Sequence, residues 1–126
     1  MNEKINWSDY YPLFERDEFI CKCGCGKEEM KKKHMDMLYR ARILAGIPFV
    51  IRSGYRCVQH NKNVGGSATS DHLDGWGSDI QAKSGRAKWI IDEALVKAGF
   101  TRLGEGSDFY HAGNDPRNPE KVRWTY

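Results

Sequence analysis

The sequence predicts an α+β fold, a small antiparallel sheet packed against helices, with residues 1–126 as one domain. Two long segments, 27–45 and 84–98, repeat apolar residues at helical spacing. Short apolar or β-branched pieces lie between and after them, and the last of these are joined by turns too short for a parallel crossover. A chain of 126 residues with 40% hydrophobic and 29% charged residues can bury one ordinary core and has no room for a second substantial domain.

The opening stretch, residues 1–19, has no apolar run of the kind a secretory leader needs, and no run anywhere approaches the roughly 20 residues that span a bilayer. The expectation is a soluble, monomeric product made in the cytoplasm without a signal peptide, with no membrane partner. "CKCGCG" follows, placing Cys21, Cys23 and Cys25 at alternate positions with Cys57 distant. That spacing gives no local disulfide framework and lacks the paired C-x-x-C knuckles of a strong zinc signal. A tight glycine turn with small, half-buried thiols is favoured over a metal or redox cluster.

From Lys27 to Ala45, Met30, His34, Met37, Leu38, Ala41, Leu44 and Ala45 form one helical stripe, which Gly46 and Pro48 stop. His34 lies on or beside that stripe, so a packed histidine is expected rather than a ligand. "KKK" at 31–33 is read as a solvated helix face. With a net charge of +3 and basic residues otherwise scattered, the chain carries no nucleic-acid stripe.

"PFVIRS", 48–53, reads as a buried strand, 55–64 as a short helix ended by Gly65-Gly66, and 77–82 as a second strand. Ser84 then caps a helix whose Ala87, Ile90, Ile91, Ala94, Leu95 and Ala98 share a face up to Gly99. The tail from Thr101 breaks into two or three strand-like pieces between Gly, Asn and Pro turns.

"SDHLDGWGSDI", 70–80, sets His72 and Asp79 seven residues apart. On a helix they would stand about 10.5 Å apart along the axis. On a strand they would face opposite ways. Only a turn brings them together, and Gly75 and Gly77 permit one. Histidine and aspartate are both ligands for zinc, which takes three protein groups in catalytic sites. Of the remaining histidines, His34 and His60 fall in predicted helices, while His111 lies in the strand-like "GSDFYHAG". Taken alone, the pair reads better as a surface loop histidine and a turn-capping aspartate than as half a metal site.

The run Ser53-Gly54-Tyr55-Arg56, His60-Asn61, Val64-Gly65-Gly66, Ser70-x-His72-x-x-Gly75-x-Gly77-x-Asp79 and Asp108-x-x-His111 resembles the zinc D-Ala-D-Ala carboxypeptidase superfamily. That group includes L-alanyl-D-glutamate endolysins of phage type and shares its fold with the Hedgehog amino-terminal domain. The resemblance covers roughly residues 14–113. It implies one catalytic Zn²⁺ held by His72, Asp79 and His111, Asp108 as general base, and Arg56 as the contact to the substrate carbonyl or carboxylate. Ser70 is a candidate substrate contact, though a capping hydroxyl explains it equally well.

The activity implied is hydrolysis of a peptide bond in the peptidoglycan stem, as an endolysin-like endopeptidase or a D,D-carboxypeptidase, reaching the wall after release across the membrane. The rival reading is a zinc-stabilised binding module without turnover. Two departures stand out. Gly77 occupies a position where the family usually has alanine, which should loosen the turn. Asp108 and His111, three apart, would face opposite ways on a straight strand, so Asp108 is expected in the turn or bulge before it. Glu105 is the rival base.

Overall fold

The computed structural model describes residues 4–126. It contains three α-helices, α1 (Lys32–Ala45), α2 (Val58–Asn63) and α3 (Gly85–Ala98), and five strands, β1 (Ile51–Ser53), β2 (Gly77–Gln81), β3 (Arg102–Glu105), β4 (Phe109–Gly113) and β5 (Val122–Thr125). Single turns of 3₁₀ helix lie at Trp7–Tyr10, Arg16–Phe19 and Asp71–Asp74. No helix among the described residues is long and apolar enough to cross a membrane.

The strands form one sheet in the order β1-β2-β4-β3-β5. Every pairing is antiparallel except β3 with β5, which is parallel. The expectation of an antiparallel sheet therefore holds for four strands and is corrected at the fifth. The connection from Asn114 to Lys121 crosses the end of β3 where Arg102 pairs with both Gly113 and Val122, so β5 joins the outer edge of β3 running in its direction.

Alternation along the strands separates two faces. Ser78, Ile80, Tyr110, Ala112 and Leu103 are buried on the face covered by helices. His34 of α1 reaches Ser78, and the Tyr110 hydroxyl bonds Asp92 of α3. Phe14, Phe19, Met35, Leu38, Phe49, Ile80, Ile91 and Leu95 make up the centre of the core. The opposite face carries Asp79, Gln81, Phe109 and His111.

Helix α3 starts where its sequence cap places it: the Ser84 hydroxyl accepts from the Ala87 amide, and Gly99 ends the helix at a φ of 100°. Helix α1 begins at Lys32, five residues later than its apolar periodicity predicts. Residues 27–31 form no helix: the Lys31 backbone is extended and its amide bonds the Gly75 carbonyl at 3.1 Å. The Lys31 ammonium reaches the Asp74 carbonyl and lies 5.7 Å from the Trp76 ring. Lys31 is thus no part of a solvated helix face: it straps the start of α1 to the turn that carries His72.

Candidate metal centre

The turn between His72 and Asp79 is built by short-range bonds. The Ser70 hydroxyl caps the 3₁₀ turn by accepting from the His72 amide at 3.2 Å. Gly75 ends that turn at a φ of 80°, where a side chain would run into the Glu29 carbonyl. The Trp76 amide returns to the Asp71 carbonyl at 2.9 Å, and β2 starts one residue later. Gly77 does not loosen the turn. A Cβ there would lie 2.9 Å from both Asp71 Cβ and the His72 nitrogen, so glycine is what lets the 3₁₀ turn lie against β2.

β2 and β4 pair so that Asp79 stands directly opposite His111. His111 Nδ1 lies 2.9 Å from Asp79 Oδ1, and His72 Nε2 lies 3.1 Å from the same oxygen. The three ligand atoms form a compact group, and all three residues are buried. His72 Nδ1 sits 2.6 Å from the Gly54 carbonyl, which only a proton on that nitrogen satisfies.

Burial holds His72 below its ordinary pKa despite Asp79, and Nδ1, occupied by its bond to Gly54, leaves Nε2 as the nitrogen facing Asp79. A cation held by both would take the place of a proton between them. Burial by itself would lower the His111 pKa too, but bonds from Asp71 and Asp79 override it and raise the value to about 9. Burial would raise Asp79, yet His72 and His111 hold its carboxyl well below the usual range. Two imidazole nitrogens and one carboxylate oxygen, each turned to one point, fit the donor set of a catalytic zinc site with an open fourth position.

The supporting residues are equally specific. Arg56 donates from Nη2 to the second Asp79 oxygen at 3.2 Å and from Nε to Ser53 at 3.2 Å. The Asn61 side chain donates to the Ser67 carbonyl at 2.8 Å and fills the space that a Cβ on Gly66 would need. His60 lies in α2 outside the cleft.

Asp71 is the functional residue that the motif reading missed, since it stands at an unspecified position between Ser70 and His72. Buried at 2% exposure, it bonds His111 Nε2 at 3.1 Å and Arg102 Nε at 3.1 Å. A carboxylate on the far nitrogen of a ligating histidine fixes ring orientation and tautomer. Its one available signal was its place beside a ligand.

These residues line a cleft of about 410 Å³. One wall is the loop from Val64 to Ser70, and the other holds Phe109, Trp124 and Tyr126. Gly104, opposite His111, has no side chain because the Trp124 and Tyr126 rings occupy that space, which puts Trp124 5.4 Å from His111. Phe109 joins Trp124 and Tyr126 in facing the cleft, whereas Tyr110 packs toward α3 and Trp76 under Lys31.

Neither candidate base lines the cleft. Asp108 precedes β4, in the turn as expected, but its carboxylate is 49% exposed and bonds Arg52 at 2.9 Å. Arg52 also reaches Gln81, which shares the Asp79 face two residues on, so Asp108 sits at the rim beyond Phe109. Glu105 is opposite Tyr110 and pairs with Lys88 of α3, away from the cleft.

An aspartate and a histidine on adjacent strands with a second histidine from the neighbouring turn, open to a cleft, make up the donor group of a class of metal-dependent hydrolase sites. The Peptidase M15 sequence profile matches residues 12–112. The chain therefore belongs to the Peptidase M15 family, the zinc D-Ala-D-Ala carboxypeptidase and endopeptidase superfamily. No curated protein matches it.

Proposed function

We propose that the protein is a zinc peptidase of the cell wall that hydrolyses a peptide bond in the peptidoglycan stem beside a D-amino acid, with endopeptidase favoured over carboxypeptidase action. The observation that carries this reading is the convergence of His72 Nε2, Asp79 Oδ1 and His111 Nδ1 inside a cleft that Arg56 also lines. These three residues would hold the zinc. When bound, zinc brings water toward a pKa of about 7 and polarises the scissile carbonyl.

The chain's own residues do the rest. Asp71 and the Gly54 carbonyl fix the two rings, and Arg56 fixes the carboxylate between them. The guanidinium, already tethered to Ser53, offers charge to the carbonyl oxygen of a substrate with little reorganisation. Asp108 is the base that takes a proton from the attacking water and returns it to the leaving amine. Its ion pair with Arg52 is surface-exposed and worth under about 1 kcal/mol, too little to lock the carboxylate at the rim. Phe109, Trp124 and Tyr126 give the stem peptide an apolar wall.

Action on the wall requires release across the membrane, as in phage or prophage endolysins. A binding module without turnover is the second reading, and the pairing of Asp108 with Arg52 is what favours it. Incubation of zinc-loaded protein with defined stem peptides, followed by mass spectrometry, separates the two. A new free amine, absent with His72→Ala, supports the peptidase; intact peptides throughout sink it. Near-normal turnover in zinc-loaded Asp108→Ala, with loss in Glu105→Ala, overturns the choice of base.

A further inference from the structure

Away from the cleft, the four cysteines meet. The "CKCGCG" segment turns on Gly24 and Gly26, with φ values of 90° and 76°, and the Cys21 amide closes the turn on the Lys27 carbonyl at 2.9 Å. Its three thiols gather around Cys57, which belongs to the start of α2. Cys21 Sγ lies 3.5 Å from Cys23 Sγ and 3.7 Å from Cys57 Sγ, and the Cys23 and Cys57 sulfurs are 3.7 Å apart. All four sulfurs, Cys25 included, fall within 4.8 Å of one another.

Those separations discriminate between chemistries. A disulfide needs sulfurs about 2.05 Å apart. A tetrahedral ion with metal–sulfur bonds of about 2.3 Å puts its ligands about 3.8 Å apart along each edge. The measured spacing is that of the second. Two backbone amides also point at the cluster, Cys57 N–H to Cys21 Sγ and His60 N–H to Cys57 Sγ, both at 3.4 Å. Amide donors stabilise thiolate charge.

We propose that Cys21, Cys23, Cys25 and Cys57 bind a second ion of the zinc class, in a closed four-thiolate site separate from the catalytic group. Each thiol gives its proton to solvent as its sulfur bonds the ion, and no oxidant is required. The expectation of an ordinary glycine turn omitted the fourth ligand, which the chain brings in from 36 residues away. Cys23 and Cys25 are exposed, which leaves the ion a route in, while Cys21 is buried beneath.

The role follows from what the ion would join. Cys57 is the residue after Arg56, and the neighbouring Tyr55 amide bonds the Phe19 carbonyl at 3.0 Å. A cation here clips the amino-terminal segment to the loop that presents Arg56 to Asp79. It is a positioning device for that arginine, acting through the backbone.

The test is zinc stoichiometry on the full chain, reconstituted with zinc alone after isolation without added oxidant. Two zinc per chain in the wild type, one in His72→Ala/His111→Ala and one in Cys23→Ser/Cys25→Ser support the proposal. X-ray absorption of the zinc left in the histidine variant should then show sulfur ligands at about 2.3 Å. A cysteine variant that keeps the wild-type zinc content overturns it. So do nitrogen and oxygen ligands alone in the histidine variant, or a wild-type mass lower by two hydrogens, which marks a disulfide. If the cysteine variant does not fold, cobalt titration of the wild type decides. Thiolate-to-cobalt charge transfer supports the site and its absence refutes it. Zinc lost from the histidine group alone would damage the peptidase reading and leave this one standing.

Discussion

Acid should destabilise this fold through His34, and the amount can be worked from its surroundings. The ring is fully buried, with Nδ1 2.7 Å from Asn114 Oδ1, Nε2 2.7 Å from Ser78 Oγ, and its centroid 5.3 Å from that of Phe100. Burial, opposed by the Asn114 bond and reinforced by the nearby His111 and His72, lowers its pKa from 6.5 to about 4. The folded value lies below the unfolded one, so the unfolded chain binds the extra proton between them. The stability tied to a neutral His34 is complete above about pH 6.5 and drains away as pH falls toward 4. A gap of about 2.5 units at about 1.36 kcal/mol each is roughly 3 kcal/mol, a large share of the 5–15 kcal/mol typical of a domain. Urea unfolding of wild type and His34→Gln, in parallel from pH 7 to 4, reads this directly because all other titrating groups are common to both. The variant should start less stable and lose up to about 3 kcal/mol less across the range. Identical pH slopes would refute the buried neutral ring.

The other expectations concern the site. Arg56→Ala at full zinc occupancy should lower kcat/KM on stem peptides by roughly 10²–10³-fold, and Arg56→Lys should recover little, because the lysine cannot hold Ser53 and Asp79 together; steady-state rates beside metal analysis check both. Gly77→Ala should destabilise the fold by roughly 1–3 kcal/mol and weaken zinc retention against a chelator, since the added methyl meets Asp71 and the His72 backbone. Ser70→Ala should cost about 1 kcal/mol in thermal or urea unfolding with KM unchanged if the hydroxyl is purely the cap seen here; a raised KM at equal stability would assign it to the substrate.

Much of this arrangement was legible before any coordinates. The cap at Ser84, the stripe to Ala98 and the Gly99 stop are local signals, and α3 obeys them. The two glycines between His72 and Asp79 identified the turn that joins them, although Gly77 acts through space it leaves empty. What escaped was decided by partners distant in the chain. Residues 27–31 carry helical periodicity but spend a backbone donor on Gly75. β5 takes its direction from the edge of β3. Asp71 and Arg102 are ordinary charged residues until the fold sets Asp71 against His111 and Arg102 against Asp71. Cys57 looked solitary for the same reason. Asp108 matched its motif in position, yet its side chain answers to Arg52, a neighbour no spacing rule names.

The register of Asp79 against His111 has a mechanical side. β2 and β4 are inner strands of the five, and their opposed side chains are two of the three groups turned to the candidate ion. A metal held there stitches adjacent strands across the middle of the sheet and ties both to the loop bearing His72. Opening β2 from β4 would then mean breaking coordinate bonds as well as the ladder between them. Amide hydrogens of these strands should exchange markedly more slowly in the zinc-loaded protein than in the stripped one, while those of α2 and the exposed turns change little. Chemistry and cohesion meet in one pair of residues.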